Sequence, residues 1–311
     1  TSPAYCRGLS ERATGIALAR YPRDKYFIAT KLSNFAPSTR TREASMEMYH
    51  NSLKYLQTDY IDYMLLHSVG GGSDSMAEYE ERYINNGILD FLIKEREAGR
   101  IRNIGFSYHG DIRVFDRLLS EHDKYKWDFV QIQLNYLDWR YAKQINESNT
   151  NAEYLYNELA KRNIPAIIME PLLGGKLANP SPQVAKMLSD EKTPVEWAMD
   201  FLWNREEVSL LLSGMGAMEQ VQSNIDYADK AEVGMLTEEN LNMLAKTKEV
   251  FDKMALVPCT KCAYCMPCPF GLDIPKTFEA YNATASLGTD RAKAIYAELN
   301  KGADQCKKCK K

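Results

Sequence analysis

The chain has 311 residues, 45% of them hydrophobic and 26% charged, with a formal net charge of −3. This globular balance leaves no basic field for nucleic acid, and no apolar run approaches the ~18 residues of a membrane span. Of the seven cysteines only Cys6 precedes Cys259, a distribution that argues against a disulfide framework and for reduced thiols in a cytoplasmic setting.

Six β-like runs occur in order, at residues 25–31, 60–68, 103–109, 129–137, 166–172 and 208–215. Helical patterning separates them. Met46, Tyr49, Leu53 and Leu56 recur on one face between the first two runs, as an amphipathic helix requires. The segments GILDFLIKEREAGR and AEYLYNELAKRN read as helices closed by Gly or Asn stop signals. A strand–helix repeat of ~30–45 residues implies parallel strands with crossover helices. It fits an open doubly wound sheet or most of an eightfold barrel.

The polar residues favour the barrel. Lys31, His67, Ser107, Gln131 and Glu170 sit at or near the C-terminal ends of their runs, and a closed barrel gathers such ends at one mouth. No G-x-G-x-x-G fingerprint follows a strand. The predicted fold class is α/β, a (β/α)8 TIM barrel followed by a small, mainly helical domain. After Leu236, the stretch TEENLNMLAKTKEVFDKMA predicts a helix with Thr237 as N-cap. Pro258 marks a turn, and further helices are predicted at 275–284 and 290–301. The expected domains are a barrel over 1–235, a bridging helix over 236–257 and a cysteine-bearing domain over 258–311.

That last domain opens on CTKCAYCMPCP, which places Cys259, Cys262, Cys265 and Cys268 at every third position, with Cys306 and Cys309 near the end. Structural zinc usually pairs two knuckles across a long spacer. Thiolates at every third residue of a tight loop instead suit an iron–sulfur cube. A [4Fe–4S] cluster is favoured, with a zinc fold as the alternative. The six cysteines leave one cluster or two open. A final gap of two residues where the two-cluster ferredoxin pattern has three leaves the role of Cys268 open as well.

Tyr5, Lys31 and His67 form the second constellation. A phenol titrates near 10 and is a reluctant acid, but a close ammonium in a partly dry pocket can lower that value. A His at the same mouth can orient a carbonyl oxygen. Together they suit proton delivery to that oxygen while hydride reaches the carbon. Taken alone, the three are weak evidence, and the reading as a surface Tyr, a strand-end Lys and a His satisfied by backbone is the favoured one. His109 is a further candidate for the mouth, residues 70–72 for a loop tip, and Tyr136, Asp138 and Trp139 for a pocket wall or rim. Cys6 beside Tyr5 reads as a packed thiol.

The order TSPAYCRGLSERATGIAL, RDKYFIATK, YIDYMLLHS resembles the aldo-keto reductase family. The resemblance is strongest to its bacterial subgroup with a C-terminal ferredoxin-like domain, through REAGRIRNIGFSYHGD, DFVQIQLNYLDW, IPAIIMEPLLGGKL and the cysteine run. It implies a (β/α)8 barrel using NADP or NAD, with Tyr5 as proton donor followed by the signature neighbours Gly8, Leu9, Ser10 and Glu11. It further implies Lys31 as the residue that lowers the phenol's pKa and His67 as the active-site His. Ser107 and Gln131 match residues that hold the nicotinamide carboxamide, although Tyr108 stands where the family often has Asn. Met169 stands where many members stack a Tyr on the nicotinamide. Gly174 and Gly175 match a close backbone approach to the cofactor. The segment SGMGAMEQVQSNI matches the loop closing over the adenosine phosphates, with Asn224 as an adenine contact. There, Gly214 and Gln220 replace cations that many members aim at a 2′-phosphate.

By this template six strands are present and the first two are missing. A start without Met inside a motif, and an end two residues after Cys309, suggest a chain cut at both ends. The expected function is NAD(P)H-dependent reduction of a small-molecule carbonyl substrate, with a [4Fe–4S] domain exchanging electrons with a redox partner protein. Neither nucleic acid nor a membrane is expected as a partner. The alternative is a non-catalytic cofactor-sensing or docking barrel with an electron-carrier or zinc tail.

Overall fold

The computed structural model describes residues 1–71, 75–140, 151–254, 256–257, 259, 265–286 and 288–307. They fall into two compact units. The first comprises Thr1–Gln133, Tyr154–Met169 and Glu207–Leu210, the second Leu134–Glu153, Glu170–Glu206 and Leu211–Lys311. Among the described residues no helix is long and apolar enough to cross a membrane.

The first unit is built on a sheet with strands in simple sequence order: β1 (Ala29–Leu32), β2 (Ile61–Val69), β3 (Ile101–Tyr108), β4 (Phe129–Gln133), β5 (Ala166–Met169) and β6 (Val208–Leu211). β1 to β5 pair in parallel, with Lys31 opposite Leu65, Leu65 opposite Gly105, Ser107 opposite Gln131 and Gln133 opposite Met169. The six predicted runs are all present, and a parallel sheet in sequence order is what a run of barrel staves requires.

Alternation then sorts the side chains. Leu66, Phe106, Val130 and Ile168 share one face and are buried. Phe106 packs edge-on against Phe115 and Trp127, at centroid distances of 6.3 and 5.3 Å. Each such burial contributes roughly 1.5–3 kcal/mol. The opposite face carries Lys31, His67, Ser107, Gln131 and Met169 toward the C-terminal ends, over a floor where Tyr63 meets Phe129 at 5.3 Å. Gly105 is required there, because a Cβ would lie 2.2 Å from the Phe129 carbonyl oxygen.

Local signals set the helices. In α1 (Ser10–Leu18) Glu11 is buried and accepts from Thr30 Oγ1 at 2.5 Å. α2 (Arg42–Leu56) starts at Thr41, whose hydroxyl accepts from the Ala44 amide, and buries Tyr49, Ser52 and Leu56 on one stripe. α3 (Ile88–Glu97) and α4 (Ile112–Ser120) follow, α4 capped by Asp111 and burying Val114, Phe115, Leu118 and Leu119. The carboxylate of Asp62 gathers the starts of β1 and β2, accepting from Arg23 at 2.6 Å, Ile28 N at 2.8 Å and Arg102 at 2.9 Å.

Three predicted strands end early. β4 stops at Gln133 instead of 137 because Asn135 Oδ1 accepts from the amides of Leu137 (3.0 Å) and Asp138 (2.9 Å), an Asx turn that outcompetes the ladder. β5 stops at Met169, where Glu170 turns left-handed with φ 55°, and β6 stops at Leu211.

The second unit contains α5 (Pro194–Trp203), α6 (Met218–Ala228), α7 (Glu238–Lys253), α8 (Ile274–Ser286) and α9 (Thr289–Ala297). The Thr237 cap is present, its Oγ1 accepting from Asn240 N at 3.2 Å. The two helices foreseen near 275–284 and 290–301 are present as α8 and α9, the latter ending at Ala297.

Candidate active site

Lys31 and His67 emerge from neighbouring strands, 6% and 7% exposed. Tyr5 approaches from a short 3-10 turn, Tyr5–Gly8, that the chain closes by bonding Tyr5 N to Ser2 O at 3.2 Å. After it Cys6, Arg7 and Gly8 run through left-handed backbone at φ 51°, 56° and 84°. For Cys6 and Arg7 that conformation costs roughly 1–2 kcal/mol each, the kind of strain found at functional sites.

The three side chains meet. The Tyr5 ring stands edge-on to His67 at 5.6 Å and 81°, and Lys31 Nζ lies 4.8 Å from the Tyr5 ring centroid. Nζ also donates to the Thr1 carbonyl oxygen at 3.2 Å. Two hydroxyls hold His67 Nδ1, Ser33 Oγ at 2.6 Å and Ser2 Oγ at 3.3 Å, and these lie 2.8 Å from each other. With Nδ1 so occupied, Nε2 is the ring nitrogen left for a ligand. Phe35 packs on the imidazole at 4.9 Å.

Burial dominates the electrostatics. It lowers Lys31 from 10.5 to about 8. Burial, then the Lys31 charge, lowers His67 from 6.5 to about 3, so the imidazole is neutral at physiological pH. Burial also pushes the Tyr5 phenol up. The expectation that Lys31 lowers this phenol is corrected to this extent: the ammonium faces the ring and a backbone carbonyl, and desolvation is the larger effect on the phenol.

Beneath the cluster lies a clamp. On a π-helical turn, Glu80–Ile84, Arg82 is buried and donates to the carbonyls of His67 (2.6 Å) and Ser68 (3.3 Å) and to Asn34 Oδ1 (3.2 Å). Tyr83 Oη accepts from His67 N at 3.0 Å. These bonds fix the irregular end of β2, where Ser68 has φ 54°. Arg82 and Tyr83 carry no sequence signal, because EYEERYINN reads as a charged surface turn. Ser33 was legible in principle, two residues beyond Lys31 on the same face.

Ser107 and Gln131 are side by side, but Ser107 is fully buried and its Oγ accepts from Ser68 N at 2.8 Å. Gln131 Nε2 lies 3.4 Å from Met169 Sδ. His109 is half-buried and held low by burial, then by the Lys31 charge, which puts it within electrostatic reach of the cluster.

The remaining cofactor candidates lie in the second unit. Gly174, Gly214 and Asn224 line one groove of about 630 Å³ with Glu170, Glu219 and Gln220. Asn224 Nδ2 donates to Ser213 Oγ at 3.0 Å. Of the predicted thiol ligands, Cys259, Cys265 and Cys268 are partly buried and Cys306 is exposed. Cys262 and Cys309 lie outside the described residues. Among the described residues no three His, Cys, Asp or Glu side chains gather as a metal site.

Comparison with known proteins agrees with the sheet and its order. The model of the aldo/keto reductase family matches residues 1–248. L-galactose dehydrogenase of Arabidopsis thaliana is 25% identical over 261 residues, 78% of this chain and 76% of that protein. The holo form of aldo-keto reductase AKR11C1 from Bacillus halodurans superposes with a TM-score of 0.62 at 21% identity, covering 79% of this chain and 80% of that one. An aldo-keto reductase from Klebsiella pneumoniae, solved in complex with NADPH, gives 0.58 at 21% identity, covering 79% and 77%. With a family model spanning most of its length, the chain belongs to the aldo/keto reductase family, a family of oxidoreductases.

Proposed function

We propose that the chain reduces a small carbonyl substrate with NADPH or NADH, Tyr5 acting as proton donor and Lys31 and His67 completing the catalytic set. When bound, the dihydronicotinamide supplies a hydride to the carbonyl carbon. Tyr5 Oη protonates the developing alkoxide, giving the alcohol and a phenolate. The Lys31 ammonium, charged below about 8, offsets that phenolate as it forms. Neutral His67 orients the carbonyl oxygen through Nε2, its ring held in place at Nδ1 by Ser33 and Ser2. Ser107 and Gln131 are proposed to hold the carboxamide, and Gly174, Gly214 and Asn224 the adenosine-phosphate end. Those last three line one groove of about 630 Å³.

The observation that carries this reading is the convergence of Tyr5 on both Lys31 and His67. It is tested by Tyr5→Phe. Turnover should fall by about 10² or more, with NAD(P)H binding, followed by nucleotide fluorescence, unchanged. Wild-type protein that binds neither nucleotide would sink the proposal.

Residues 258–311 are proposed to carry one or two [4Fe–4S] clusters on Cys259, Cys262, Cys265, Cys268, Cys306 and Cys309, in a domain joined to the barrel portion (1–235) through 236–257. The thiol spacing supports this, as does the capped helix α7 ahead of the run. The described cysteines do not by themselves assemble a ligand set, so no catalytic step is assigned to a cluster. Iron and acid-labile sulfide in anaerobically purified protein test it, and zinc in their place would overturn it. Reduced thiols suit a cytoplasmic setting and a redox partner protein.

A further inference from the structure

His109 has no part in the chemistry proposed above, yet the fold sets it firmly beside the strand ends that carry Lys31 and His67. Side chains alternate along β3, so His109 takes the face of Gly105 and Ser107. Its amide adds one more bond toward β2, donating to Val69 O at 2.8 Å. The neighbouring backbone is pinned as well. Tyr108 Oη donates to the Gly110 carbonyl oxygen, and Asp111 N donates to Gly70 O at 2.7 Å. Gly110, at φ 135°, passes so close to Gly70 that a Cβ would lie 2.6 Å from its carbonyl oxygen.

The imidazole so positioned is unanswered. It is half-buried, and a ring largely withdrawn from water ordinarily has a partner, but among the described residues its nitrogens make no hydrogen bond. The nearest carboxylate along the chain, Asp111, is already engaged by Ser75 Oγ at 2.5 Å and Arg113 Nη2 at 2.6 Å. Burial, then the Lys31 charge, lowers His109, and no carboxylate offsets them. Burial, then Lys31, His109 and Arg82, act in the same direction on His67. The surroundings are thus poor in negative charge and hold one spare N–H donor.

From this placement we propose that His109 binds a carboxylate attached to the reacting carbonyl, so that the chain acts on 2-oxo acids. The inference rests on the proposed reading of Tyr5, Lys31 and His67 as the carbonyl site. With the carbonyl oxygen taken by Tyr5 Oη and His67 Nε2, His109 is left for the group beside it. A carboxylate there accepts from the imidazole N–H and is drawn by the Lys31 charge. A hydroxyl would leave that charge uncompensated, and an ammonium would be repelled. The carboxylate is unchanged by the reduction, which converts the 2-oxo acid, the reduced nucleotide and the Tyr5 proton into the 2-hydroxy acid and the oxidised nucleotide.

The test is calorimetric titration of phenylglyoxylate, and of acetophenone as its methyl counterpart, into protein saturated with oxidised nucleotide, which cannot reduce either. Wild type should bind phenylglyoxylate at least about tenfold more tightly than acetophenone. His109→Leu should lose about tenfold to a hundredfold of that affinity, the worth of one hydrogen bond to a charged group. Acetophenone and nucleotide affinities should stay within about threefold. His109→Gln, which keeps an N–H donor, should recover most of the loss. In turnover, the Leu variant should raise KM for phenylglyoxylate while kcat stays within about threefold. Equal binding of the two probes by wild type, an equal loss on both in His109→Leu, or a loss of nucleotide affinity overturns the inference. The expected carboxylate binding without any turnover would sink the reductase reading and leave the binding role of His109 standing.

Discussion

Lys31→Met should make the protein more stable and inactive. Among the described residues the Lys31 ammonium has no carboxylate partner; it is 6% exposed and donates only to the Thr1 carbonyl oxygen at 3.2 Å. Burial holds it at about 8 against its ordinary 10.5. At about 1.36 kcal/mol for each unit of pKa, the charge costs the folded state ~3 kcal/mol at pH 7. Methionine removes that cost and keeps the stem's packing, while losing one hydrogen bond worth ~1 kcal/mol. A net gain of ~2 kcal/mol should result.

The pH dependence separates this from ordinary repacking. The folded state binds fewer protons than the unfolded chain between about 8 and 10.5, so wild-type stability rises with pH across that window. The Met variant lacks this rise. Urea unfolding of both proteins should show a gap of ~2 kcal/mol at pH 7 that closes toward zero by about pH 9.5. A Met variant less stable at pH 7, or a gap that stays constant with pH, would refute the claim that Lys31 is buried and uncompensated.

Reductase activity should fall as pH rises through about 8, where Lys31 discharges, and show no acid limb near 6.5, because His67 charges only near 3; a kcat/KM profile with an inflection at 6.5 that disappears in His67→Gln would contradict this. Arg82→Met strips partners from the His67 and Ser68 carbonyls and from Asn34, and at roughly 1–3 kcal/mol for each unsatisfied buried group should cost about 3–4 kcal/mol and lower kcat, with denaturant midpoints as the check. Gly105→Ala should lose ~1–3 kcal/mol by overpacking, since its Cβ must displace the Phe129 carbonyl; a thermal midpoint unchanged within error would show that β3 and β4 yield there.

Much of this was legible in the chain because period-two alternation survives in buried parallel strands. Lys31, His67, Ser107 and Gln131 stand on one face as the strand ends implied, since each lies an even number of residues from a partner in the registered ladder. The misreadings have local causes. Strand length was overcalled where Asn135 and Glu170 redirect the backbone, which hydrophobicity does not report. Ser107 stands on the expected face, and its hydroxyl also serves the Ser68 amide at the bulge of β2, a bond the sequence did not announce because bulges leave no pattern in composition. Arg82 escaped notice because a buried guanidinium on a π turn looks, in sequence, like any exposed charge.

The sign of the Tyr5 perturbation follows from partial desolvation of a side chain that is itself 42% exposed. A phenol lowered in the resting site would be partly ionised and a poor acid before any substrate arrived. Desolvation favours the protonated phenol, and Lys31 Nζ, 4.8 Å from the ring centroid, is placed to offset a phenolate once it forms. An interaction that strengthens only as the proton leaves lowers the barrier without stabilising the ground state. The cost appears as stability lost to an unpaired ammonium, a neutral buried imidazole and the left-handed turn at Cys6 and Arg7. Arg82, Tyr83 and Asn34 hold the strand ends against that strain. Lys31→Met, stable and inactive, is where the two effects part.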